Sequence, residues 1–126
     1  MSGTVASGLR EGRYYMSKGH YRKQFAKKLH FVPYSGTLNI KLSARSSRTF
    51  SRIKRKRGIS IKGSREGGKI LEMARCYRAD LSGIECALVV PKMSKHVGVA
   101  EIISAKRLRS ALKLKDGSRV KVSVEA

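Results

Sequence analysis

Thr37, Asn39 and Lys41 occupy every second position of Pro33-Tyr34-Ser35-Gly36-Thr37-Leu38-Asn39-Ile40-Lys41-Leu42. Alternate residues of an extended strand share a face. A hydroxyl oxygen, an amide oxygen and a cation therefore point one way, and Leu38, Ile40 and Leu42 point the other. Neutral oxygens so close together suit a hard metal ion whose remaining ligands are water and phosphate. An ordinary half-exposed strand fits the same ten residues. Glu101 is a second candidate, because a carboxylate between Ala100 and Ile102 in an apolar run either lies at a sheet edge or has a task, such as holding a substrate hydroxyl or acting as a base. The third is the loop Ser7-Gly8-Leu9-Arg10-Glu11-Gly12-Arg13. Its glycines let backbone N–H groups close on a phosphate, and its arginines match phosphate oxygens as a fork. Gly-Leu-x-x-Gly also occurs in many turns without ligands, and Glu11 can simply pair with an arginine.

These residues need elements to position them. Pro33 and Gly36 mark a turn before the alternating strand. Gly3 to Ser7 reads as a short first strand. Tyr21 to Leu29 reads as a helix with Tyr21, Phe25, Lys28 and Leu29 on one face, stopped by Pro33. Ala44 to Gly58 is rich in arginine and poor in apolar residues, which predicts a solvated loop or a charge-protected edge strand, or else a footprint for a polyanion. Ile59 to Lys62 reads as a strand. Gly63-Ser-Arg-Glu-Gly-Gly-Lys69 has the spacing of a phosphate-binding loop, but Ile70 stands where its magnesium-binding hydroxyl belongs. A Gly-rich hairpin turn is the better reading, although Ile70, Met73, Ala74 and Tyr77 also have helical spacing. A hairpin turning at Asp80-Leu81-Ser82-Gly83 would bring Cys76 and Cys86 opposite each other, where a cross-strand disulfide is conceivable. The alternation of Cys86 with Ile84, Leu88 and Val90 favours two reduced core thiols instead. Beyond Pro91 follow a polar loop, a strand from Val97 to Ile103, and a short helix from Lys106 to Leu112. An Asp116-Gly117 turn then leads into a strand carrying Val120, Val122 and Val124. Many short strands and tight turns around one main helix predict a mainly β fold, a small closed barrel.

Composition narrows the partners. The 126 residues suffice for a single domain with one core. Lys and Arg number 29 against 8 Asp and Glu, formally +21, a field that draws polyanions without naming them. No apolar run approaches a membrane span and the start does not read as a signal peptide, so the expected location is cytoplasmic with no membrane partner. The three histidines and two cysteines lack zinc-ligand spacing. A non-enzymatic nucleic-acid-binding β-barrel is the rival reading. Against it stands the scarcity of aromatic residues for stacking bases.

Taken together, Ser7-Gly-Leu-Arg-Glu-Gly-Arg-Tyr-Tyr and Pro33-Tyr-Ser-Gly-Thr-Leu-Asn-Ile-Lys-Leu, spaced around a helix, resemble the archaeal CTP-dependent riboflavin kinases. The resemblance continues through Ala87-Leu-Val-Val-Pro-Lys, Glu101-Ile-Ile, Leu108-Arg109 and Leu114-Lys-Asp-Gly, nearly the whole chain. It implies a six-stranded cradle-loop barrel, with a short second helix, that transfers the γ-phosphate of CTP to the 5′-hydroxyl of riboflavin, giving FMN and CDP. It implies nucleotide binding by Gly8, Leu9, Arg10, Glu11, Gly12 and Arg13 and by Lys106, Arg107, Leu108 and Arg109. Thr37 and Asn39 would hold Mg²⁺. Ser94, which stands where the family commonly has Thr, and Glu101 would meet the flavin, with Glu101 also the expected catalytic carboxylate. Some members carry an N-terminal helical DNA-binding domain; the expectation here is a single kinase domain without it, acting as a monomer. Nucleic-acid binding through the basic surface would then be incidental.

Overall fold

In the computed structural model, which describes residues 1–7, 19–92 and 98–125, period-two alternation and paired turns produce seven strands. In chain order the elements are β1 (Ser2–Ala6), α1 (Gly19–Leu29), β2 (Leu38–Leu42), α2 (Ala44–Ile53), β3 (Ile59–Glu66), β4 (Lys69–Leu81), β5 (Ile84–Pro91), β6 (Val99–Ile103), α3 (Leu108–Ala111) and β7 (Arg119–Val124). Every pairing is antiparallel and the sheet order is β3-β4-β5-β6-β2-β1-β7. A further pairing of Ala79–Leu81 with β7 closes β4, β5, β6, β2, β1 and β7 into a ring. β3 lies along the first half of β4, on the edge that β7 takes further on. The expected six-stranded barrel is therefore present, extended by one hairpin strand.

Alternation divides the apolar residues between two cores. Leu38, Ile40, Leu81, Leu88, Ile102 and Val122 are among those that fill the inside of the ring, with the thiol of Cys86. On the outside, Phe25 and Leu29 of α1, one helical turn apart, pack against Ile61, Cys76, Val89 and Ile103. Polar contacts fix that helix in place. The Gln24 carboxamide donates to the Lys62 carbonyl at 2.7 Å and accepts from the Lys62 N–H at 2.8 Å, so it occupies the open edge of β3 as a neighbouring strand would. Arg78 donates to the Leu29 and Lys28 carbonyls at 2.9 and 3.0 Å, placing a cation on the last turn, where carbonyls lack helical partners.

Two expectations need correction. Ala44 to Gly58 is neither a loop nor an edge strand through its first ten residues, but the helix α2. Ser43 caps it by accepting from the Ser46 N–H, and Ser46, Phe50 and Ile53 recur at four- and three-residue intervals to form a narrow buried stripe. That stripe is easily overlooked among so many arginines. The second correction concerns the cysteines. The β4–β5 hairpin turns at Ser82-Gly83, both with positive φ (51° and 84°), so that Leu81 faces Ile84. Cys76 then opposes Val89, and Cys86 opposes Ala79. The two thiols belong to different cores on opposite faces of the sheet and are both free. Other expectations are met. The Gly63–Lys69 stretch is a hairpin whose tip is Gly67-Gly68 at φ 56° and 79°, and helical spacing from Ile70 to Tyr77 is overridden by strand pairing.

Candidate functional site

β2 contributes Asn39 and β6 contributes Glu101, and the register sets them directly opposite each other. Opposed residues of an antiparallel pair share a face, with Cβ atoms about 5 Å apart. Ala6 on the far side of β2 and Val89 on the far side of β6 complete one row across four strands. Two polar groups in that row are each only 5% exposed. The Asn39 Oδ1 accepts no hydrogen bond among the described residues. A buried acceptor left unpaired costs about 1–3 kcal/mol, which marks it as an atom awaiting a donor or a cation. Thr37 stands two residues earlier, immediately before β2, and is half-buried. Among the described residues, no three His, Cys, Asp or Glu side chains cluster as metal ligands. A hard cation would therefore draw on the neutral oxygens of Asn39 and Thr37 and on phosphate, a donor set that suits Mg²⁺.

A second group gathers at the end of β1. Asp116 accepts from the Ser7 hydroxyl and from an Arg109 Nη2, both at 2.7 Å, and the same Arg109 nitrogen donates to the Ala6 carbonyl at 3.2 Å. The hydrogen bonds from Ser7 and then Arg109 hold the Asp116 carboxyl below the usual carboxylate range. The Gly117 N–H donates to the Val5 carbonyl at 2.8 Å, and the Val5 N–H to the Ser118 carbonyl at 2.8 Å. The root of the Gly8–Arg13 loop is thus tied to α3 and to the Asp116-Gly117 turn. Gly8, Leu9, Arg10, Glu11, Gly12 and Arg13 themselves, and Ser94, lie outside the described residues. Lys106 and Arg107 are exposed, and Arg107 donates to the Ser110 hydroxyl at 2.8 Å. Leu108 buries its side chain inside the barrel, which leaves only its backbone for a ligand. Arg109 is therefore the expected nucleotide contact most firmly placed beside the loop root.

Glu101 also borders a cleft of about 280 Å³, shared with Phe50, Lys54, Arg75, Tyr77 and Lys92 among others. This is near the lower end of small-molecule pockets. Burial works against the Glu72 charge in its wall, but hydrogen bonds from Ser60 and Arg75, at 2.7 and 2.8 Å, outweigh it and lower its pKa. The cleft consequently keeps a fixed Glu72–Arg75 pair in its wall, with Lys92 at the start of the segment that leads to Ser94.

Two positioning residues were not anticipated. Asp116 reads as an ordinary turn residue, and its partner Ser7 is 109 positions away. Ser104, buried to 2%, donates to the Glu85 carbonyl at 2.8 Å and accepts from the Lys106 N–H at 3.3 Å. Its own carbonyl accepts from the Tyr34 N–H at 2.7 Å. Ser104 thereby links the turn before β2 to the approach to α3. Adjacency to Lys106 was the only available signal.

Comparison with known proteins identifies relatives of this chain. The family model CTP-dep_RFKase, described as "Domain of unknown function DUF120", matches residues 5–124. A riboflavin kinase of Methanosarcina acetivorans is 42% identical over 126 residues, covering 99% of this chain and 53% of that protein. The riboflavin kinase of Methanocorpusculum labreanum is 43% identical over 98% of this chain and 56% of its own length. That of Ignicoccus hospitalis is 45% identical, over 98% of this chain and 70% of its own. The chain thus spans little more than half the length of most of these relatives.

Proposed function

Because this chain belongs to the CTP-dependent riboflavin kinase family, we propose that it phosphorylates riboflavin at the 5′-hydroxyl with CTP as donor, giving FMN and CDP. The observation that carries the reading is the buried Asn39 Oδ1, with no hydrogen-bond donor among the described residues, paired in register with the buried Glu101 on the next strand. Phosphoryl transfer requires little covalent chemistry from a protein and proceeds by positioning and charge neutralisation. Both are within reach of these residues.

Thr37 and Asn39 would hold Mg²⁺, which when bound neutralises charge on the phosphates being separated. Arg109, held by Asp116 beside the root of the Gly8–Arg13 loop, would add a guanidinium to the triphosphate. Lys106 and Arg107 are exposed on the approach to it. The loop glycines, with Arg10 and Arg13, would close backbone and side-chain donors around the same charge. On the acceptor side, Glu101 would orient the riboflavin hydroxyl and take its proton as the O–P bond forms. The cleft bordered by Glu101, Lys54, Arg75 and Lys92 would receive the flavin, and Ser94 would add a contact from the following segment.

The deciding experiment is an FMN-formation assay with riboflavin and Mg²⁺, comparing CTP, UTP, GTP and ATP at equal concentration. FMN is expected with CTP and hardly with ATP. No FMN from any triphosphate, across several divalent metals and temperatures, would reduce the family relationship to a shared fold.

A further inference from the structure

α2 turns Ser46, Phe50 and Ile53 into the barrel, so its opposite side faces outward. At 3.6 residues per turn, Arg45, Arg48 and Arg52 fall within an arc of about 60° opposite that buried stripe. All three are exposed. The helix does not stop abruptly: Lys54, Arg55 and Lys56 donate backbone hydrogen bonds to the Phe50, Arg52 and Ile53 carbonyls at 3.0, 3.2 and 2.9 Å. Arg55 therefore continues the row. From Arg45 to Arg55 the guanidinium groups cover about 15 Å of axis at a rise of about 1.5 Å per residue. That length matches about four phosphate steps along one strand of a duplex, at about 3.4 Å each.

Among the described residues, no ion pair neutralises this row. No Asp or Glu occurs between Glu11 and Glu66. Among the described residues, the ion pairs Arg75–Glu72 and Arg109–Asp116 lie on other elements. Among the described residues, Arg52 donates to the Thr49 hydroxyl, at 3.4 Å. Arginine predominates over lysine here, and its planar fork fits phosphate oxygens.

Among the described residues, the same face lacks two other kinds of group. It has no exposed aromatic ring on which unpaired bases could stack: Phe50 is buried, with the Lys54 ammonium 4.9 Å from its ring centre. It also has no exposed large apolar residue to enter a lipid surface, since α2 places Phe50 and Ile53 in the barrel. We propose that the outer face of α2, carried by Arg45, Arg48, Arg52 and Arg55, docks the phosphate backbone of duplex nucleic acid without reading its sequence. The surface is built from residues other than those assigned to CTP, riboflavin or metal, so it stands or falls separately from the kinase reading.

The test is fluorescence polarisation of the full chain with labelled DNA and RNA duplexes, their single strands, and phosphatidylserine vesicles, over a range of salt. The variant Arg45→Gln/Arg48→Gln/Arg52→Gln is compared with Lys115→Gln/Arg119→Gln/Lys121→Gln, which removes equal charge from another exposed region. Duplexes of either sugar, in unrelated sequences, are expected to bind more tightly than their single strands. The α2 variant should lose about tenfold or more in duplex affinity and about 0.9 of salt slope per arginine, while the control changes much less. Equal losses in both variants would overturn the proposal in favour of diffuse charge. Tighter single-strand binding, or vesicle binding through these arginines without duplex binding, would overturn it as well. Circular dichroism melting reports the fold of each variant. Arg48→Gln alone, with an expected slope loss of about 0.9, keeps the test decisive if the triple variant unfolds.

Discussion

Asn39 and Glu101 face each other across β2 and β6, each 5% exposed, and the amide oxygen of Asn39 has no hydrogen-bond donor among the described residues. Such an atom weakens the fold unless a ligand supplies what the protein does not. Replacing Asn39 by Ala removes the unpaired acceptor along with the cavity-filling amide, so the two effects offset. The thermal midpoint should move by only a few degrees. The wild type should gain stability from Mg²⁺ with CDP by mass action, and Asn39→Ala should gain little. FMN formation should fall about a hundredfold or more, the scale of a few kcal/mol of lost charge stabilisation. A midpoint drop as large as that of Ile40→Ala, with ligand stabilisation intact, would make Asn39 a structural residue only.

Glu101 can act on the riboflavin hydroxyl as a base or can merely hold it, and kinetics separates the two. Loss of a general base costs about 10²–10⁴ in rate. Glu101→Gln keeps the shape and much of the hydrogen bonding of the carboxylate. The expected result is a large fall in kcat with a small change in KM for riboflavin. A raised KM with kcat preserved would assign Glu101 to binding alone.

Asp116 joins the loop root to α3, so its replacement should be felt by the nucleotide before the flavin. Asp116→Asn loses the ion pair to Arg109 and is expected to raise KM for CTP several-fold, leaving KM for riboflavin nearly unchanged. The pH dependence has a definite sign. The folded pKa of Asp116 is depressed below its usual 3.8. Its contribution is therefore complete above that pH and disappears as pH falls through the lower folded value. The stability difference between wild type and Asp116→Asn should be constant near neutrality and close only under strongly acid conditions. Thermal melts across pH measure it, and a gap already closing near neutral pH would exclude this role for Asp116.

What the amino-acid sequence disclosed depended on distance along the chain. Alternation in Leu38-Asn39-Ile40-Lys41-Leu42 and around Val120 and Val122 marked strands, because a half-buried strand imposes a period of two on its own residues. Asn39 and Glu101 were each visible as polar residues within apolar patterns. Their opposition was not, because register between β2 and β6 is set by the closed ring and not by either segment. The same applies to Asp116, whose partner Ser7 lies 109 positions away. α2 was missed for a local reason. A helix resting on a closed barrel through Phe50 and Ile53 needs only a narrow apolar stripe, and the arginines around it resemble a solvated loop.

The cysteines allow a test of the barrel itself. Burial pushes the Cys76 thiol up to about 12, and burial, reinforced by Asp80 and Glu85, pushes Cys86 up to about 12 as well. The thiolate is the reactive form, so at mildly alkaline pH the native protein should hold almost none at either site. Cys76 is shielded by α1, whereas Cys86 is inside the ring. Their labelling by a thiol reagent therefore requires different openings. Loosening α1 with Phe25→Ala should expose Cys76 first and leave Cys86 slow. Mass spectrometry of time-resolved alkylation distinguishes the two. Rapid labelling of both in the unmodified native protein, or an oxidised Cys76–Cys86 pair, would contradict a sheet that sends these residues to opposite faces.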